Sequence, residues 1–97
     1  MSELLQFKDT YIFFDGKVVL RNFLSEGVKV TMGYMATGEF RWLAEEPERF
    51  HILSGKAEFI VGSDKLIAEQ GREVFVPAGS TFTVNVSEPL DYRCYYD

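Results

Sequence analysis

The sequence predicts an all-β fold, a single-domain barrel of short antiparallel strands, and three observations carry that expectation. Turn signals recur at close intervals: Asp15-Gly16, Ser25-Glu26-Gly27, Thr37-Gly38, Glu46-Pro47, Ser54-Gly55, Gly62-Ser63-Asp64, Gln70-Gly71, Pro77-Ala78-Gly79 and Glu88-Pro89. The segments between them are short and rich in Val, Ile, Phe, Tyr and Thr, the composition of a sandwich or barrel. No window keeps a helical period, because the best candidate, Ala44 to Arg49, is interrupted by Pro47. Ninety-seven residues suit one core, since a second would need roughly 50 more.

In chain order, Tyr11-Ile12-Phe13-Phe14 faces Lys17-Val18-Val19-Leu20 across Asp15-Gly16, a dipeptide that accepts the positive φ angles of a two-residue hairpin turn. Val28, Val30, Met32 and Tyr34 alternate with Lys29, Thr31 and Gly33, as in a strand with one buried face. Phe40 and Trp42 share a face opposite Glu39 and Arg41. Beyond the Pro47 turn, Phe50 and Ile52 oppose Arg49, His51 and Leu53. A corner at Ser54-Gly55 leads into a hairpin, residues 56–61 and 65–68, over Gly62-Ser63-Asp64. Phe82, Val84 and Val86 form another alternating strand, and Tyr92, Cys94 and Tyr96 share one side of the tail.

Composition narrows the function. The formal net charge is −5 and the basic residues are scattered. Polyanion binding draws its affinity from clustered cations, so nucleic acid is not an expected partner. Cys94 is the one cysteine, and without an internal disulfide the fold does not depend on an oxidising compartment. The opening residues lack a basic region followed by a long apolar run, so no signal peptide is expected. No stretch approaches the ~20 apolar residues of a membrane helix. A cytoplasmic location, with no membrane partner, is the expectation. Aromatic residues at 15% are abundant for the length, and must fill the core, line a pocket or cover a partner.

The stretch from Gly38 to Gly55 organises the rest. Glu48 to Gly55 spaces as Glu-x6-Gly, and Gly71 opens the pattern Gly-x5-Pro-x-Gly-x2-Phe-x3-Val, which ends on Val86. These spacings resemble the double motif of cupins over about half the chain, and imply a jelly-roll-like, cupin-type β-barrel. In cupins, two histidines before the glutamate and another after Pro-x-Gly hold a metal. Here the first pair falls on Trp42 and Ala44, or on Arg41 and Leu43 in the alternative spacing, and the third falls on Phe82. A catalytic zinc or iron needs about three protein ligands, whereas the chain has one His. No transition-metal site is expected, and Glu48 is the single ligand type left.

A resemblance to one family covers nearly the whole chain. It rests on Tyr11-x-Phe-Phe-Asp-Gly-Lys-Val18, Gly33-x-Met-x-x-Gly-Glu-Phe40, Glu46-Pro-Glu48 with Ser54-Gly55, Phe75-Val-Pro77 with Ser80-x-Phe82, and Tyr92-x-Cys-x-Tyr96. In this order and spacing they are similar to the small metal-free cupins of the pyrimidine/purine nucleoside phosphorylase family. The resemblance implies a homodimeric barrel and a pentosyltransferase of broad specificity. Its substrates would be purine and pyrimidine nucleosides, split to free base and pentose 1-phosphate. Inorganic phosphate would be the co-substrate, with no cofactor.

Such a reaction passes through an oxocarbenium-like state, so the site must hold an anion, enclose a base and stabilise charge on the leaving ring. Phe40, Trp42 and Phe82 are the candidates to hold the base, and they equally suit plain core filling. Glu48 would bind ribose hydroxyls or, with a pKa raised by burial, protonate the leaving base; otherwise it is a turn carboxylate, solvated or paired with Arg49. Lys17, in the matching Gly-Lys-Val segment, and Arg21, on the same strand parity, are the candidates for phosphate. Arg41 and Arg93 fall opposite the pocket-facing aromatics, His51 falls opposite Phe50 and Ile52, and Cys94 reads as a small buried hydrophobe. Two other readings stand beside the enzyme. One is a metal-free cupin that binds a small sugar or base without turning it over. The other is a structural dimer whose aromatic tail and first hairpin cover a second subunit.

Overall fold

Two long strands form the centre of the sheet that the described residues build. The computed structural model describes residues 5–97; residues 1–4, part of the stretch read above for a leader, lie outside the described residues. The strands are β1 (Leu5–Phe13), β2 (Val18–Ser25), β3 (Val28–Met35), β4 (Gly38–Leu43), β5 (Glu48–Val61), β6 (Asp64–Glu69), β7 (Glu73–Val76) and β8 (Thr81–Tyr95). They run β1-β2-β3-β8-β5-β6, with β4 joined to β8 and β7 to β5. Among the described residues, no helix is long and apolar enough to cross a membrane.

β5 and β8 pair with each other from Arg49↔Tyr95 to Val61↔Phe82. On its other edge, β8 carries β3 along its C-terminal half (Val30↔Tyr95 to Met35↔Leu90) and β4 along its N-terminal half (Gly38↔Val86 to Leu43↔Thr81). β5 is divided in the same way, with β7 against its first residues and β6 against its last. The two long strands therefore belong to two layers at once, β1-β2-β3-β8-β5-β7 and β4-β8-β5-β6. The result is the all-β, cupin-type barrel expected from the sequence.

The layers join at a bend. The β5–β8 register slips between Ile52 and Ala57, and Gly55 sits there with φ +94°, where an added Cβ would lie 2.0 Å from the Pro89 carbonyl oxygen. The corner that the sequence places at Ser54-Gly55 is such a bend, and the turn signal at Glu88-Pro89 is its counterpart on the partner strand. Both lie inside single strands of 14 and 15 residues, because a bulge keeps most of the ladder that a break would leave unpaired. The slip also changes which residues of β5 face inward, from Phe50 and Ile52 to Ala57 and Phe59. Phe50 stands at the joint, its ring 5.0 Å from Phe59, 5.1 Å from Tyr92 and 6.0 Å from Phe82.

Two local readings are corrected. The first hairpin forms, but its loop takes Phe14 and Lys17 as well as Asp15-Gly16, since Phe13 pairs with Val18. Phe14 adopts φ 54°, a conformation unfavourable for a bulky residue. Its ring is held 5.2 Å from Phe40 and 5.4 Å from Trp42. On β3 the face turned to the cavity is Thr31, Gly33 and Met35; of the alternate face Val30 is buried as well, whereas Val28 is exposed. Gly33 decides which face meets the cavity, because the Tyr92 ring occupies the space where a Cβ would stand, with Cζ at 2.2 Å.

Gly33→Ala is expected to cost about 1–3 kcal/mol of stability, the usual range for overpacking. Gly55→Ala should cost more, since the obstructing atom is backbone. Urea denaturation of both variants against wild type checks the order.

Candidate active site

A cavity of about 70 Å³ lies between the layers. Its walls come from five elements and the tail: Leu20 of β2, Thr31 and Met35 of β3, Trp42 and Leu43 of β4, Glu48 and Phe50 of β5, Phe82, Tyr92 and Cys94 of β8, and Tyr96 beyond it. Alternation along each strand delivers these side chains inward. Trp42 and Phe82 are direct cross-strand partners. On its outer side, Trp42 is flanked edge-on by Phe13 and Phe14, each at 5.4 Å. Its Nε1 is buried without a hydrogen-bond partner.

Glu48 is the first residue of β5, just past the Pro47 turn, and is half-buried beside the cavity. Burial, reinforced by the Glu46 carboxylate and opposed by Lys29, pushes its carboxyl up to about 7. Arg49 points to the other face, where it pairs with Glu73 at 2.9 Å and Asp97 at 3.1 Å. Strand parity thus removes the partner that would have held Glu48 ionised. Lys29 does not line the cavity but lies against one of its walls, its Nζ 2.6 Å from Glu46 Oε2 and 4.0 Å from the centre of the Tyr96 ring. Burial, then the neighbouring Cys94, pushes the Tyr92 and Tyr96 phenols up. Burial, then Glu48, raises the Cys94 thiol. A neutral buried thiol is a poor nucleophile.

The structure brings Glu48, Trp42 and Phe82 together as the sequence suggested, and separates the other candidates from them. Phe40 is buried in the core under Phe14 and does not line the cavity. Lys17 is an exposed loop residue. Arg21 lies on the outward parity of β2, alternate to the cavity-lining Leu20, with its guanidinium 5.6 Å and 5.9 Å from the Phe7 and Phe23 rings. His51 is likewise outward, 3.6 Å from Glu73. Among the described residues, no group of three or more His, Cys, Asp or Glu side chains is placed to hold a metal.

Thr31, Tyr96 and Lys29 were not singled out from sequence. Thr31 and Lys29 share the β3 face of Gly33. The signal that would have found them is Gly33, whose missing side chain marks the face against which another ring packs.

Glu48 also imposes a pH dependence on folding. Its folded value of about 7 lies above the ordinary 4.5, so its contribution to stability is full below about pH 4.5 and is lost as pH rises through about 7. Denaturant midpoints measured across that interval should fall with rising pH in wild type, and the slope should flatten in Glu48→Gln.

Residues 8–96 match the protein family described as pyrimidine/purine nucleoside phosphorylase. A protein of that description from Geobacter sulfurreducens is 38% identical over 92% of this chain and 88% of its own length. Another, from Geotalea daltonii, is 39% identical over 98% of this chain and 94% of its own length. Among solved structures, a protein of unknown function from Vibrio parahaemolyticus is similar with a TM-score of 0.87 at 26% identity, covering 95% of this chain and 99% of that one. The Clostridium difficile EutQ protein shares the fold with a TM-score of 0.72 at 20% identity, over 81% of this chain and 67% of that one. The chain belongs to the pyrimidine/purine nucleoside phosphorylase family.

Proposed function

We propose that the chain is a nucleoside phosphorylase of broad specificity that converts purine and pyrimidine nucleosides and inorganic phosphate to free base and pentose 1-phosphate. One observation carries the reading. Glu48 is a carboxyl with a pKa of about 7, and it shares a cavity with the Trp42–Phe82 pair. Phosphorolysis needs this combination: flat apolar surface for a heterocycle, and beside it an acid that still carries its proton near neutral pH. At about 70 Å³ the cavity is well below the ~300 Å³ of a whole small-molecule pocket. In this reading the base enters it and the pentose and phosphate remain at the rim. The indole Nε1 of Trp42, buried without a partner, would donate to a base carbonyl.

In the reaction, a phosphate oxygen forms a bond to C1′ as the C1′–N bond breaks, and its electron pair leaves with the base. Glu48 protonates the departing nitrogen, and the carboxylate is reprotonated from phosphate or water. Lys29 is the cation whose field reaches Glu48, and it replaces Lys17 and Arg21 as the group expected to hold phosphate. A neutral Glu48 also spares the incoming phosphate a repelling charge. No metal or cofactor enters this scheme, in keeping with the resemblance, in which the cupin histidine positions fall on Trp42 and Ala44, or Arg41 and Leu43, and on Phe82, none of them a histidine.

The test is incubation with uridine, inosine and adenosine, each with and without phosphate. Base release that requires phosphate is expected; release without it indicates a hydrolase, and binding without release a ligand-holding module. Glu48→Gln should lower kcat by about 10²–10⁴-fold. Wild-type kcat should decline as pH rises through about 7.

We also propose a homodimer in which a second copy covers β1. This edge strand is exposed along almost its whole length and presents Phe7, Tyr11 and Ile12, each more than half exposed, to solvent. An apolar exposed edge is a pairing template. Sedimentation should find a dimer for wild type and a monomer for Ile12→Asp.

A further inference from the structure

One row of cross-strand neighbours joins the outermost strand to the cavity. Asp9 of β1 faces Asn22 of β2, Asn22 faces Thr31 of β3, and Thr31 faces Cys94 of β8. Asp9 reaches this row because β1 bulges at Lys8, where the register slips between Phe7 and Asp9. The bulge sends Phe7 outward onto Phe23 and leaves Asp9 opposite Asn22, the re-aiming of a side chain that bulges perform. The side chains form a chain of short hydrogen bonds. Asn22 Nδ2 donates to Asp9 Oδ1 at 2.8 Å, Thr31 Oγ1 donates to Asn22 Oδ1 at 2.7 Å, and Thr31 Oγ1 lies 2.6 Å from the Tyr96 hydroxyl.

The inventory of donors leaves one direction for this chain. A carboxylate only accepts, so Asn22 must present its NH₂ to Asp9 and its carbonyl to Thr31. A threonine hydroxyl has one proton, and Asn22 takes it. The Thr31–Tyr96 bond must then use the phenolic proton, with Tyr96 as donor. An amide in the middle passes no proton, so the chain orients and does not conduct. Thr31 is 1% exposed, and water does not compete with its bonds.

We infer that Asp9, Asn22 and Thr31 are positioning residues that lock the Tyr96 hydroxyl as a donor into the barrel wall, so that its oxygen meets the cavity as an acceptor and reads a hydroxyl or N–H donor of the bound nucleoside. The inference rests on the nucleoside reading of the cavity. It adds a selectivity: at Tyr96 the site takes a donor and refuses the same group once methylated. Cys94 does not compete for that acceptor: its one thiol proton goes to the Tyr95 carbonyl at 3.8 Å, so toward Tyr96 its sulfur is only a weak acceptor, poorer than the Thr31 oxygen at 2.6 Å.

Two measurements test it, one of them without any ligand. In the NMR spectrum of the free protein, a slowly exchanging Tyr96 hydroxyl proton should show a nuclear Overhauser effect to Thr31, and the Thr31 hydroxyl proton one to Asn22. A Thr31 proton directed at Tyr96 overturns the inference. In the second, kcat/KM is measured for uridine and for analogues methylated at N3 or at each ribose hydroxyl. Wild type should disfavour at least one analogue by about tenfold or more, the value of one lost hydrogen bond to a fixed partner. Asp9→Asn allows the amides to turn and frees Tyr96 to donate, so that ratio should shrink to about threefold or less. Thr31→Val should do the same, and carries the test if Asp9→Asn does not fold. An unchanged ratio in folded variants overturns the positioning role. Absence of any uridine turnover overturns the enzyme reading and the donor assignment with it, while the NMR result still decides the direction of the chain.

Discussion

The pairing of β5 with β8 is the constraint on which this structure depends. Each strand lends one half of its free edge to one layer and the other half to the second. Neither layer therefore has a complete ladder without the pair. The bend that permits this is crowded: at Gly55 the backbone of β5 runs so close to Pro89 that no side chain fits. Holding both layers on one pair of strands also fixes their separation. Phe50, Phe59, Phe82 and Tyr92 fill the space between them with rings 5.0–6.0 Å apart, distances at which aromatic pairs add to plain burial.

The cavity is a consequence of the same frame. Glu48 opens β5 and Tyr96 follows β8, so these two polar groups arrive at the same end because their strands are paired from Arg49↔Tyr95 onward. Low access of water at that end is what raises the Glu48 carboxyl, and parity sends Arg49 away from it. At the position that resembles a cupin metal ligand, the Glu48 carboxyl is raised first by burial and then by the Glu46 carboxylate, with Lys29 opposing. The apolar surroundings are the larger cause of that rise.

The first hairpin is tied to the site at two places. Its tip places Phe13 and Phe14 against Trp42, and its middle supplies Asp9 and Asn22 to the row that ends on Tyr96. A strand that looks peripheral in the topology is thus connected to the cavity by packing and by hydrogen bonds. The strained φ of Phe14 and the bulge at Lys8 are the local costs of those two connections.

Much of this was legible in the residues. Glycine and proline punctuation with β-branched and aromatic segments determined the all-β class, because turns and strands are local choices. The spacing of Glu48, Gly55, Gly71, Pro77 and Gly79 pointed to the barrel type, and Trp42, Phe82 and Glu48 lay at the site that spacing implied. Other features needed the tertiary structure. Whether Ser54-Gly55 breaks a strand or bends it depends on β8, a partner some 30 residues away in the chain. Which face of β3 turns to the cavity was decided by the Tyr92 ring seated on Gly33, against the apolar alternation of Val28, Val30 and Met32. Lys17 and Arg21 were matched by motif and parity, yet the parity they share is the outward one. The row from Asp9 to Tyr96 joins four residues spread over the whole chain, through a bulge at Lys8. Local sequence sets which residues alternate; only the pairing of distant strands sets which alternate faces meet.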